Sequence, residues 1–432
     1  MNPTRRLLAI LFVLGATSIA WMVLGAVTSS REHDSRAQLE GAVQQLWGRP
    51  QVQSAPQLTH TWKTQHEVQR TEEVDGEQRQ ITELETREHD RAVALSGSDI
   101  DVALGSDLRR KGLVWYSLYD VAFDARWTYT HREETPGEVT VRFAFPDAAG
   151  LYDDFRFTVD GRDHRAALDP SEGVVTATVP VDPGQVLRIA GSYRSRGLDE
   201  WRYAPSEGVA LLQSFDLRMT TDFPDIDFPA QTLSPTSRRR TDGGHALRWR
   251  FDQLVSGLAV GMITPTRIQP GELAAAMSVS APISLFFFFL VVFVLATLRR
   301  IDIHPINYAL IAGAFFAFHL LFAYSVDHLS VEAAFALSSV VSVLLVTSYL
   351  RLVVSDAFAF REAAAAQVIY LVGFSLAHFW AGFTGLTVTV LSIVTLFLLM
   401  QLTGRIRWTE ALQASAPRIP GVTDAPDPTA PA

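Results

Sequence analysis

Six apolar runs, each close to the roughly 20 residues that an α-helix needs to cross a bilayer core about 30 Å thick, constrain this chain more than any other feature. The first covers residues 7–27. The others follow a long polar stretch, at 279–298, 306–326, 331–350, 364–381 and 382–403. A chain divided in this way is expected to cross the membrane once, build a water-exposed domain, and return to the membrane five times.

Charges at the ends of the runs indicate the direction of insertion, because cytoplasmic loops are enriched in Lys and Arg while short external loops are not. With the N-terminus inside, Arg5/Arg6, Arg299/Arg300, Arg351/Arg361 and Arg405/Arg407 all fall on the cytoplasmic face. The turns at 327–330 and 381–385 contain neither Lys nor Arg. The sequence therefore predicts a multi-pass protein of a bacterial cytoplasmic (inner) membrane, with both termini cytoplasmic and residues 28–278 periplasmic. The first run exceeds the apolar length of a secretory signal, about 7–15 residues, which favours an uncleaved anchor.

The charge balance divides at the same places. The chain holds 46 acidic and 37 basic residues, of which residues 28–278 hold 38 and 28, so the excess acid lies in one domain. An acidic domain argues against nucleic acid as a partner. The absence of Cys excludes disulfide scaffolds, thiolate metal sites, iron–sulfur clusters and cysteine nucleophiles.

Within this domain, Leu39, Val43 and Leu46/Trp47 recur at helical spacing, predicting a juxtamembrane helix over 31–48. Beyond it the period changes to two. The runs 58–71 and 78–93 flank Asp75-Gly76, a dipeptide that tolerates the positive φ of a tight hairpin turn, and predict a long polar hairpin. Alternating stretches follow, clearest at Val139, Val141, Phe143 and Phe145, and are separated by Pro136-Gly137, Pro183-Gly184 and Asp242-Gly243-Gly244. They predict an antiparallel, sandwich-like domain with a projecting hairpin.

The expected fold class is thus an α+β membrane protein. It has an N-terminal transmembrane helix (1–27), a β-rich periplasmic domain (28–278), a bundle of five transmembrane helices (279–403) and a disordered cytoplasmic tail (404–432) too poor in large apolar residues to fold.

Motifs of known chemistry are missing from the sequence. It contains no phosphate-binding Gly-x-x-x-x-Gly-Lys-Ser/Thr, no Gly-x-Gly-x-x-Gly, no Gly-x-Ser-x-Gly and no His-Glu-x-x-His. No catalytic, cofactor-binding or metal-ligating residues are expected. Asp153-Asp154 and Asp163-His164 read as solvated loops.

Polar groups inside the apolar runs are more informative, because hydrocarbon makes them costly. His319 and His378 lie within runs, and Tyr308 lies nearer an end. One reading is a proton relay or metal site between helices. The other, which is favoured, is hydrogen bonding that fixes helix packing, since Asp302, Asp327, Glu332, Asp356 and Glu362 all fall at run ends. Ala309, Gly313 and Ala317 recur every fourth residue and predict a close-packed helix face. Pro305 suits the first turn of a helix, and His304 beside it suits a cap.

The block Asp302-Ile303-His304-Pro305-Ile306-Asn307-Tyr308-Ala309-Leu310-Ile311-Ala312-Gly313, continuing through Phe318 and Leu320-Leu321 to His328, resembles the CreD family of bacterial inner-membrane proteins. His304, Pro305, Tyr308, Gly313 and His328 match the family's His-Pro-x-x-Tyr-x-Leu-x-Gly run and the His that closes the span, with the Gly one residue later here. Stretches at 31–36, 108–112, 223–249 and 402–408 are similar to the family in the same order.

The resemblance implies a role in cell-envelope integrity or envelope-stress response, with no established enzyme activity and no catalytic residues to carry over; no cofactor is expected. The expected function is accordingly non-enzymatic, with a periplasmic domain that binds an envelope protein or lipid. A transporter or lipid-handling protein using the C-terminal bundle is the alternative.

Overall fold

The computed structural model describes residues 3–74, 77–112, 114–205, 207–208, 210–380 and 382–404. The hairpin turn at Asp75-Gly76, the arginines Arg405 and Arg407, and the expected disordered tail from residue 405 onward lie outside the described residues. The chain divides into two compact units, Met1–Arg36 with Ile268–Ala432, and Ala37–Arg267.

The first unit is helical. Among the described residues, six helices are long and apolar enough to cross a membrane: Arg5–Trp47, Pro270–Leu298, Pro305–Ser325, Val331–Val353, Phe358–Phe379 and Thr384–Thr403. The first is part of one continuous helix, Pro3–Trp47, because residues 28–36 contain neither Pro nor Gly and the Thr28 and Ser35 hydroxyls donate back to Leu24 and Arg31 carbonyls. The second helix starts at Pro270, where the ring takes an N-terminal position whose missing N–H costs nothing.

Aromatic residues fill the interior of this unit. Phe288 packs on Phe315 with ring centroids 4.7 Å apart, and Tyr308 stands edge-on to Phe289 at 5.2 Å. This packing corrects one expectation about the third helix. Its buried side carries Tyr308, Ile311, Ala312, Phe315, His319 and Phe322, whereas Gly313 is exposed and has no atom within 4 Å of where a Cβ would stand. The Ala309–Gly313–Ala317 face is therefore not the packed face within this chain. Large rings fill the groove more completely than three small residues could.

The second unit contains three sheets. Eight strands form the largest, with Val114–Thr130 and Gly97–Lys111 at its centre. Five form another, running from the hairpin Gln57–Val74 and Glu77–Val93 through Gly137–Ala144. The third pairs Gln51–Ser54, Glu200–Ala204 and Val260–Ile263.

The alternation at Val139, Val141 and Phe143 places these side chains inside, with Glu138 and Arg142 outside. They meet Phe123, Ala125 and Trp127 of the largest sheet and Trp201 and Tyr203 of the smallest in one core. Two hydrogen bonds cross this core: Trp127 Nε1 donates to the Tyr203 hydroxyl at 3.0 Å and the Tyr193 hydroxyl to Gln53 Oε1 at 2.8 Å.

Two strand pairings are parallel, in a domain expected to be an antiparallel sandwich. Phe215–Thr221 lies beside Ser98–Leu104, and Gln51–Ser54 beside Trp201–Ala204. Close strand spacing signals hairpins between neighbours in sequence, but these partners are more than a hundred residues apart along the chain, and the intervening strands supply the long crossover a parallel pair requires.

Candidate functional site

The fifth span concentrates polar contacts in the helical unit. Two π turns, Phe358–Ala363 and Val368–Gly373, flank a single α turn, Ala364–Gln367. Such turns displace backbone groups from the regular ladder and recur at functional positions. Here they serve contacts to several neighbours. Gln367, fully buried, donates through Nε2 to Ser342 Oγ at 3.0 Å, and Ser342 donates onward to the Ala314 carbonyl at 2.8 Å. The Ser284 hydroxyl donates to the Tyr370 carbonyl, and the Tyr370 and Thr395 hydroxyls stand 2.6 Å apart. The second, fourth and sixth helices are thus all tied to the fifth.

His378 lies in the last turn of the fifth span, Ala377–Phe379, with Nε2 2.9 Å from Ser280 Oγ of the second helix. His319 is buried but bonds within its own helix, Nδ1 to the Phe315 carbonyl at 3.1 Å, and its ring stands edge-on to Trp21 of the first helix at 5.5 Å. The structure does not bring the two histidines onto a common hydrogen-bond partner.

His304 caps the third helix, Nδ1 accepting from the Ile306 amide at 3.3 Å, and Pro305 occupies its first turn. His328 is exposed in the turn after that helix. Gln367 was missed by sequence reasoning, although the rule that selected the two histidines, a polar side chain inside an apolar run, applies to it equally.

The β unit carries a concave feature on the outer face of the eight-stranded sheet. Strand registers arrange that face in rows. One row reads Arg250–Asp216–Asp99–Arg126 and the next Arg248–Arg218–Asp101–Asp124. Like charges stand directly opposite in both rows, an unfavourable arrangement that diagonal pairing relieves. Arg218 bonds both Asp99 and Asp101, and Arg248 Nε donates to Asp216 at 2.8 Å. The hydrogen bond from Arg218 holds the Asp101 carboxyl below its ordinary range, and that from Arg248 does the same for Asp216.

The middle of the third row is Ala246–Thr220–Ala103–Ala122, with Arg239 and Arg194 at its two ends. Here the charged surface gives way to small side chains, and a cleft of about 880 Å³ opens over it. Asp120 and Arg196, paired at 2.6 Å, line one side, and Asp222, whose Oδ1 accepts from the Ser106 amide at 2.9 Å, lines another. Leu46 and Leu151 line it with apolar surface and are 63% and 81% exposed, far more than large aliphatic side chains with a partner in the fold. The cleft therefore offers a narrow uncharged floor, apolar lining and ionic margins, a combination suited to holding a ligand by shape and polar contacts.

Six membrane-length helices with a three-sheet domain between the first and second define a multi-pass α+β membrane protein. The model of the family described as "Inner membrane protein CreD" matches residues 281–409, so the chain is similar to that family through its last five helices. That match and the six apolar helices together support a multi-pass inner-membrane protein in contact with the lipid bilayer.

No curated protein matches the chain. Among solved structures, one from Legionella pneumophila subsp. pneumophila str. Philadelphia 1, described as a candidate nutrient binding protein, is similar at 11% identity, covering 57% of this chain and 94% of that one, with a TM-score of 0.32. A likeness at that level carries no functional argument.

Proposed function

We propose that this protein is a non-enzymatic contributor to cell-envelope integrity or envelope-stress response, and that its β unit lies in the periplasm and binds an envelope component in the cleft above Ala103 and Ala122. The observation that carries this reading is the run of small uncharged side chains Thr220, Ala103 and Ala122, set between charged neighbours that include Arg194 beside Ala122, beneath two exposed leucines. The proposed orientation, with both termini cytoplasmic, rests on the arginines Arg5, Arg6, Arg299, Arg300 and Arg351 at one set of helix ends.

A photoreactive side chain at Leu151 tests the proposal in intact cells. It should yield a specific adduct that disappears when Ala103→Trp or Ala122→Trp fills the floor, with the protein still made and inserted. Full complementation of an envelope-stress defect by both tryptophan variants would count against it.

A transporter or lipid-handling role is the second reading, supported by the buried Gln367 between two π turns. It predicts that Gln367→Leu abolishes a solute or lipid flux in reconstituted vesicles, while the tryptophan variants leave that flux intact.

A further inference from the structure

The hairpin extends well beyond its sheet. Only Gln57–Thr61 of its first strand pairs with Gly137–Ala144; from Trp62 to Val74 the one strand paired with it among the described residues is Glu77–Val93. At about 3.3 Å per residue the two strands project about 40 Å. An isolated two-stranded hairpin is marginal in water.

Natural sheets protect their edges with charged side chains, prolines, bulges or a covering element. Among the described residues, the outer edge of this hairpin has charged side chains but no proline, bulge or covering element. Glu77–Val93 contains no Pro, its pairing runs from Leu58↔Val93 to Val74↔Glu77 without a register shift, and every residue from Thr82 to Glu88 is exposed. The edge thus offers a regular row of backbone donors and acceptors to an added strand.

We propose that Glu77–Val93 receives an extended, net-basic segment of another envelope protein as a further strand. Charge selects this occupant. Residues 61–93 hold nine acidic and five basic side chains, so a second copy of the hairpin would be repelled while a basic segment would be attracted. The chain's own residues 405–432 are rich in proline, which cannot donate to a ladder.

The full chain in lipid nanodiscs provides the test, with a nine-residue peptide alternating Lys and Thr as probe and a Glu–Thr peptide of equal length as control. The Lys peptide should bind at least tenfold more tightly and slow amide hydrogen exchange at every second residue within Thr82–Glu88. Proline placed at one of the protected positions should weaken binding tenfold or more while Trp62 fluorescence stays unchanged. Ala122→Trp should have no effect on this binding, which separates failure here from failure of the cleft proposal. Equal affinity for the two peptides, binding without alternate amide protection, or hairpin-dependent dimers formed without the probe would each overturn the proposal.

Discussion

Arg31 donates to Asp327 across 2.6 Å and 296 positions of chain, and Arg6 donates to Asp302 at 2.8 Å across the same separation of 296. Equal separations mean that the first and third helices run parallel and advance residue for residue. The helix between Arg6 and Arg31 rises about 37 Å at about 1.5 Å per residue, slightly more than a bilayer core of about 30 Å. The two pairs therefore clip the same two helices near opposite membrane faces, with the Trp21–His319 contact between them.

The two clips should differ in strength. Arg31 and Asp327 are 37% and 17% exposed, and Arg31 also lies over the Tyr324 ring at 4.9 Å, whereas Asp302 is 81% exposed. Asp327→Ala is expected to destabilise the helical unit by about 1–3 kcal/mol, and Asp302→Ala by less than about 1 kcal/mol. Thermal unfolding in detergent compares the two, and the reverse order would contradict this account.

Acid should weaken the root of the hairpin. His60 is fully buried with neither ring nitrogen hydrogen-bonded, 4.5 Å from the His131 ring and stacked on Trp62, with the Glu133–Arg91 ion pair near by. Burial, then the neighbouring His131, lowers its pKa below the ordinary value of 6.5. The unfolded chain therefore takes up this proton at higher pH than the folded one, so the stability conferred by neutral His60 is complete above about pH 6.5 and declines as pH falls through the window below it. His60→Phe should flatten that decline in melting curves recorded from pH 7.5 to 5. An unchanged pH profile in this variant would place the cause elsewhere.

The link between the fourth and fifth spans should be measurable but modest. Gln367→Leu removes the bond to Ser342 yet leaves Ser342 its bond to the Ala314 carbonyl. Interhelical hydrogen bonds in membranes average about 0.6 kcal/mol and reach about 1.7 kcal/mol, and unfolding of the variant in mixed micelles should fall within that range. A loss well above it would mean that the side chain does more than join two helices.

Truncating the β core should have a larger effect. Phe143 is fully buried, packed against Phe157 at 5.3 Å and Trp127 at 5.9 Å. Phe143→Ala should cost about 3–5 kcal/mol, seen as a lower transition in near-ultraviolet circular dichroism. Because the helical unit has a separate core, its own unfolding transition should stay in place.

Several of these features were readable in the sequence for stated reasons. Hydrocarbon admits only helices or closed barrels, so five apolar runs after residue 278 could be little else than spans. The alternating runs on either side of Asp75-Gly76 were legible as the two strands of the hairpin, Gln57–Val74 and Glu77–Val93. The helix face holding Gly313 was misjudged because small residues at every fourth position indicate where helices could approach, while packing depends on the rings that neighbouring helices present, here Phe288 and Phe289.

By itself, the sequence determined the partition into membrane and water-exposed parts, the extended hairpin and the inward face of the strand Gly137–Ala144, since each depends on local periodicity or on the solvent around one segment. Only the tertiary structure decided that Thr220, Ala103 and Ala122 share a row, that Gln367 meets Ser342, and that Arg31 meets Asp327. Each of these pairings joins residues remote in the chain, and strand register and helix packing, which no single segment encodes, bring them together.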